Sequence, residues 1–336
     1  MRGEGEVRGE RAKGARGNRP EARTRPRAPS NPSPLTHPSH PSRLTPHSVG
    51  EALAQVGGVL DAAGVPDSDR EARELYAALV GGAVSAAWMD RDESCPPALA
   101  SALRTAAERR ATGWPQAYAA GRANFRGHWL AVDRRALIPR PETEGLVGLA
   151  LEWLLDAAAG RAAPLVADVG TGSGAIAVAL ALESPAARVV AVDRSSAALE
   201  VARANVAAHG AAGRVALVRG DLLAPLGPGR CDAVVSNPPY VATADWERLE
   251  PSVRDYEPRE ALDGGRDGLD AIRRLVLDAR AALRAGGLLA LEVDAPRADR
   301  VAGLVAAAGF DGGIVLKDLF GRPRYVRARS PIDGTD

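Results

Sequence analysis

The 336-residue sequence predicts an α/β protein, a mostly parallel sheet with helices on both faces, preceded by a small helical domain. Three observations lead there. From Pro164 onward, apolar strand-length runs, glycine-bearing turns and helix-length runs alternate, the pattern of parallel strands joined by helical crossovers. Between Ser48 and Gly113 apolar residues recur at intervals of three and four, the helical period. The first strand-to-helix turn of the alternating region, Asp168-Val-Gly170-Thr171-Gly172-Ser173-Gly174, is dense in glycine, as a turn must be where backbone N–H groups approach a ligand.

Taken in order, residues 1–47 hold eight prolines and almost no large apolar side chains, too little burial to offset chain entropy, and read as a disordered basic tail. An Arg-rich organelle presequence or a basic arm for RNA is the functional alternative; four glutamates and the lack of helical periodicity speak against the presequence. Residues 48–113 form the helical domain, with Leu53, Val56 and Leu60, then Ala72, Leu75 and Leu79, then Leu99, Leu103 and Ala107 on successive helix faces. Ser48 and Glu51 are spaced as a capping box at its start. Residues 114–145 are a linker. Within it Ala123–Asp133 alternates around Arg126-Gly127 and predicts a β-hairpin, and Pro141 opens a helix with Glu142 and Glu144 in its first turn. Residues 146–330 form the α/β domain. Its strands are "LVADVG", "RVVAVD", "RVALVRGD", "CDAVVSN" and "LLALEVD"; its helices are "SGAIAVALALE", "SAALEVARANVAAHG" closed by Gly210, and "GLDAIRRLVLDARAALRAGG". Right-handed crossovers put the loops that follow these strands on one edge, where such sheets bind ligands.

Composition narrows the function. Ten of the 43 Lys and Arg and four of the 42 Asp and Glu lie in residues 1–47, so the folded remainder carries 33 basic and 38 acidic residues. That balance lacks the basic face that salt-sensitive nucleic-acid binding requires. Cys95 and Cys231 stand far apart with no CxxC or His/Cys cluster, which predicts neither a zinc site nor a disulfide framework and fits a reducing cytoplasm. No apolar run reaches the ~18 residues of a membrane-spanning helix.

The glycine turn by itself serves a dinucleotide pyrophosphate or the amino-acid end of S-adenosylmethionine equally well. The strand ends separate the two. Asp168, Asp193 and Asp221 follow three successive strands, Asp193 where it can accept ribose hydroxyls and Asp221 at the position of an adenine edge. Three carboxylates repel a pyrophosphate and suit a ligand that has no phosphate and carries a cationic sulfur. The competing reading makes Asp193 and Asp221 plain turn or helix caps. The fourth strand ends in Asn237-Pro238-Pro239-Tyr240 on the same edge. A conjugated N–H₂ nitrogen is a poor nucleophile; it gains reactivity if the Asn237 side-chain oxygen and the Pro238 carbonyl accept its two N–H bonds, while two prolines keep the loop stiff and Tyr240 stacks on the planar group. Adenine, cytosine and glutamine all carry such a group.

At this point the chain resembles the release factor glutamine methyltransferase family over about residues 50–329, most specifically in "LIPRPETE" (Leu137–Glu144), and also in "RRATGWPQAYAAGRANFRG", "EPREALDGGRDGLDAIRRL" and "KDLFGRPRYVRAR". Sister enzymes that methylate a glutamine of a ribosomal protein carry a Pro-Arg-Ser-Pro type sequence in place of Pro141-Glu142-Thr143-Glu144. The resemblance implies a seven-stranded, Rossmann-like class I methyltransferase domain, S-adenosylmethionine as cofactor, no metal, and class-1 peptide chain release factors as protein substrate, methylated on the glutamine of a Gly-Gly-Gln motif. It also implies cofactor contacts from Gly170, Thr171, Gly172, Ser173, Gly174, Asp193, Leu222 and Asn237, beside the Asp168 and Asp221 read from the strand ends, and substrate contacts from Asn237, Pro238, Pro239 and Tyr240. An adenine-N6 methyltransferase of DNA or RNA using the same clamp is the alternative, and it would need a basic groove. Two departures stand out: Glu292-Val293-Asp294 where family members usually have Glu-Ile-Gly, and "GWPQAYAAG" where Pro-Leu-Gln-Tyr-Ile-Thr-Gly is usual.

Overall fold

In the computed structural model, residues 46–156 and 162–332 are described; the tail of residues 1–45 lies outside them, and with it nearly all of the segment expected to be disordered. The helical domain consists of α1 (Val49–Ala62), α2 (Ser68–Val80), α3 (Ala86–Met89), α4 (Pro97–Ala111) and α5 (Gln116–Ala120). Its core holds Val56, Leu60, Leu75 and Leu103, while Leu53, Leu79 and Leu99 pack at its margin. The cap of α1 is half the expected box. Ser48 Oγ accepts the Glu51 N–H at 3.2 Å, but the Glu51 carboxylate accepts from the His47 N–H at 2.7 Å, one residue further back than a reciprocal cap requires.

The hairpin forms as expected from β1 (Arg122–Phe125) and β2 (His128–Ala131). Arg126 and Gly127 both take positive φ, +52° and +79°, the two-residue turn whose twist matches that of paired strands. The Arg126 guanidinium then grips Glu183 and the Glu144 carbonyl, fastening the turn to the α/β domain. The next helix, α6 (Thr143–Asp156), begins two residues later than Pro141 suggested; Pro141 and Glu142 make the turn that leads into it.

The sheet has seven strands: β3 (Leu165–Val169), β4 (Arg188–Asp193), β5 (Val215–Arg219), β6 (Cys231–Ser236), β7 (Leu283–Glu292), β8 (Asp311–Lys317) and β9 (Pro323–Arg329). Their order is β5-β4-β3-β6-β7-β9-β8, with β9 antiparallel to both of its neighbours and the other pairings parallel. The crossovers are α7 (Ala175–Glu183), α8 (Ser196–Ala208), the short α9 (Pro251–Arg254), α10 (Asp270–Ala282) and α11 (Ala298–Ala307). Cores fill both faces of the sheet: α6 and α7 cover one through Leu146, Val147, Val178 and Leu180, and α10 and α11 the other through Ile272, Leu275, Val301 and Val305. Gly210 closes α8 in the left-handed region, φ +63°, as expected.

One boundary moves. The helix expected to run to Gly287 ends at Ala282, and the strand begins at Leu283 rather than Leu288. Leu283 pairs with Cys231, and a bulge with Gly286 at φ +72° carries the chain to the next pair, Ala233 with Leu288. Sheet pairing overrides the helical propensity of Ala-Ala-Leu-Arg-Ala. Among the described residues no helix is long and apolar enough to cross a membrane.

Candidate active site

The order β4-β3-β6 puts a reversal of strand connection between β3 and β6, and the loops after these strands open there into one cleft. The cleft, about 870 Å³ including its open mouth, is lined by Gly170, Gly172, Asp193, Asp221, Leu222, Asn237 and Pro239, together with Ala136 and Leu137 of the linker and Glu260. Seven of the residues expected from sequence therefore meet here.

The glycine turn is built from inside outward. Asp168 at the end of β3 is fully buried, and its Oδ2 accepts the Thr171 hydroxyl at 2.5 Å. Burial pushes its carboxyl up to about 7. Asp168, Thr171, Ser173 and Gly174 thus lie behind the cleft and shape the turn that Gly170 and Gly172 present. Gly174 has a packing reason as well: a Cβ there would come within 3.1 Å of the Ala202 Cβ on α8. Asn205, one turn further along α8 and also buried, exchanges two hydrogen bonds with the Ala131 backbone and donates to the Ser173 carbonyl, so it ties the hairpin to the turn. Nothing in the sequence singled Asn205 out; a polar residue on the apolar face of "LEVARANV" is the signal that was there.

Asp193 is both a cap and a cleft residue. Its Oδ2 accepts the Gly172 N–H and its Oδ1 the Ser195 N–H, each at 2.9 Å, which orients the carboxylate with lone pairs left for the cleft. Burial raises its pKa. Asp221 lines the cleft but has one oxygen on Arg274 at 2.5 Å. Leu222 is held at φ +50°, in the left-handed region that a residue without special reason avoids.

Asn237 follows β6 and lines the cleft, as does Pro239; Pro238 and Tyr240 do not. Tyr240 packs against the α10 face of the sheet, and its burial pushes the phenol up to about 12. The Asn237 Nδ2 donates to the Thr143 Oγ1 at 3.1 Å, and the Thr143 hydroxyl donates to the Glu292 carboxylate at 2.7 Å. Thr143 comes from "LIPRPETE" and Glu292 from the end of β7, so two residues that carried no individual role in the sequence stand directly behind the clamp. Burial pushes the Glu292 carboxyl up to about 7. The segment carrying Thr143 is itself fixed. Glu257, buried, accepts the Ile138 N–H at 3.2 Å and pairs with Arg140 at 2.5 Å, while the Tyr325 hydroxyl donates to the Glu142 carbonyl at 2.6 Å.

The loop Gly264–Gly268 backs the clamp from the other side. A Cβ on Gly264 would lie 2.6 Å from the Pro239 carbonyl oxygen, and one on Gly268 would meet the Tyr240 carbonyl. Arg297 crosses this loop, donating to the Asp267 carbonyl at 2.9 Å and pairing with Asp294. The unusual Asp294 is therefore neutralised by Arg297, and the pair buttresses the loop.

Comparison with known proteins bears on this arrangement. Residues 51–121 match the PrmC N-terminal domain family and residues 148–249 the methyltransferase small domain family. The release factor glutamine methyltransferase of Cereibacter sphaeroides is 43% identical over 281 residues, 84% of this chain and 98% of the relative. Those of Geobacter sulfurreducens and Deinococcus radiodurans are 40% and 42% identical, over 84% and 83% of this chain and 96% and 97% of theirs. The chain belongs to the release factor glutamine methyltransferase family. As a member of that family it is an S-adenosylmethionine-dependent methyltransferase, and its cleft fits the cofactor. The walls offer backbone N–H groups and carboxylates at the strand ends; of the arginines there, Arg135 is paired with Asp133 and Glu200 and Arg274 with Asp221, while Arg194 donates to the Glu260 carbonyl at 3.4 Å.

Proposed function

We propose that the chain methylates the side-chain nitrogen of the glutamine in the Gly-Gly-Gln motif of class-1 peptide chain release factors. The observation that carries this reading is the Asn237 amide at the cleft wall, its Nδ2 bonded to Thr143 and its Oδ1 left for a substrate N–H. Gly170 and Gly172 would hold the amino-acid end of S-adenosylmethionine, Asp193 its ribose hydroxyls, and Asp221 and Leu222 its adenine. The cofactor supplies a methyl group on a cationic sulfur. The chain's own part is orientation: the Asn237 Oδ1 accepts an N–H bond of the glutamine amide, fixing its nitrogen and raising electron density there, while the Pro238 carbonyl, expected as the second acceptor, belongs to a residue that does not line the cleft. No side-chain base is needed, because a protonated amide nitrogen gives up its proton to water.

The α1–α5 domain serves as the reading surface for the folded release factor, since one glutamine side chain offers too little area to be held against water. Incubation with labelled S-adenosylmethionine tests the assignment. Label should enter intact release factor, and a release factor with glutamate in place of the target glutamine should take none, having no nitrogen to methylate. Label on adenine of added DNA or RNA, with none on release factor, would establish the nucleic-acid reading instead.

A further inference from the structure

We propose that Thr143 and Glu292 are positioning residues for methyl transfer, together dictating which end of the Asn237 amide faces the substrate. This inference deepens the function proposed above and rests on it. The oxygen and nitrogen ends of an asparagine amide are nearly equal in size, so packing alone cannot choose between them, yet only the oxygen can accept from a substrate N–H₂. Turned round, the amide would set donors against donors. A threonine hydroxyl has one proton to give, and an ionised carboxylate can only accept. With the Thr143 proton on Glu292 at 2.7 Å, Thr143 Oγ1 can act toward Asn237 only as an acceptor, and the Nδ2 sits on it at 3.1 Å. Thr143 and Glu292 are 5% and 1% exposed, so water does not blur the choice. The polarity of a buried carboxylate is thereby relayed through one hydroxyl to the amide that meets the substrate.

Protonating Glu292 removes that constraint. Its carboxyl, now a donor as well as an acceptor, can give its proton to Thr143, which frees the Thr143 proton to point at Asn237 and lets the amide present Oδ1 inward and Nδ2 to the substrate. The groups facing Glu292 are Thr143 at the start of α6, Glu142 and Arg140 before it, Tyr240 after β6, and Arg324 and Tyr325 on β9; Glu292 ends β7, and Asp294 follows just beyond it. Burial opposes the carboxylate and dominates; the Thr143 hydrogen bond, Arg324 and Arg140 favour it, and Glu142 opposes it.

Thr143→Val and Thr143→Ser form the test. Thr143→Val keeps the shape and removes the hydroxyl. Its kcat should fall by about 10- to 100-fold, the scale for losing the partner behind a contact group, with KM for release factor and cofactor affinity by calorimetry held within about twofold. Thr143→Ser should keep kcat within about threefold. A second readout needs no substrate: the ¹⁵N side-chain amide signal of Asn237, assigned by its loss in Asn237→Asp. It should shift with an inflection near pH 7 in the wild type and Thr143→Ser but not in Thr143→Val, although Asp168, also near 7, titrates in all three. Wild-type kcat in Thr143→Val overturns the proposal, as does an Asn237 signal that titrates alike with and without the hydroxyl. If Thr143→Val fails to fold, an Asn237 signal that stays still in the wild type and in Thr143→Ser overturns it. A wild-type protein that leaves release factor unmethylated sinks the functional assignment, and the amide titration then decides the relay by itself.

Discussion

Each oxygen of Asp193 uses one lone pair on a backbone N–H and keeps the other for the cleft. Asp193→Ala should therefore weaken S-adenosylmethionine binding by about 1.5 to 3 kcal/mol, the cost of unmade hydrogen bonds to a charged group, as read by calorimetry. Unchanged affinity would place the ribose elsewhere. Asp168 makes a different prediction. Its folded-state pKa, about 7, stands above the unfolded value of 3.8, so between those limits the unfolded chain releases a proton that the folded chain retains. Stability is accordingly present at low pH and lost as pH rises from about 4 to about 7. Glu292 shifts in the same direction and adds to the loss. Asp168→Asn should flatten this decline in urea-unfolding midpoints, and a decline as steep as the wild type's would show that Asp168 is not its source.

The helices and parallel strands were legible because burial imposes a period: "RVVAVD" and "LVADVG" can be little else than covered strands. Two kinds of element were not. The boundary between α10 and β7 was set by long-range pairing with Cys231, which no local window contains. The α11–β8–β9 region was legible only through the family resemblance, because Gly312, Gly313 and the antiparallel, half-exposed β8 dilute the strand signal. At the site, the cleft-facing residues could be read from strand ends, whereas Thr143, Asn205 and Glu292 could not, since each acts through a partner distant in sequence. The loop Gly264–Gly268 belongs with these, for its glycines make sense only beside the clamp. Gly264→Ala would drive a Cβ to 2.6 Å from the Pro239 carbonyl, and backbone cannot yield there as a flexible side chain would. The clamp should shift, lowering kcat for release factor by more than it lowers cofactor affinity; equal losses would mean that the loop supports the whole cleft rather than the clamp.

Across the molecule, Tyr256 joins the two folded parts. Its hydroxyl donates to the Thr112 carbonyl at 2.8 Å, its ring packs on Trp114, and Arg134 lies over both rings. Tyr256→Ala should raise KM for release factor several-fold through loss of remote positioning while leaving cofactor affinity alone, as steady-state kinetics and calorimetry would show. An unchanged KM would separate the helical domain from substrate recognition. The assembly behind Asn237 also has an order in time. The residues that line the cleft run along the sequence from Arg135 to Arg274, but Thr143 and Asn237 wait on Glu292, and the Glu142 carbonyl waits on Tyr325. A chain leaving the ribosome thus releases every residue that lines its cleft before the strands that set the clamp, and a product broken off between Arg274 and Glu292 would carry the lining without the carboxylate that orients Asn237.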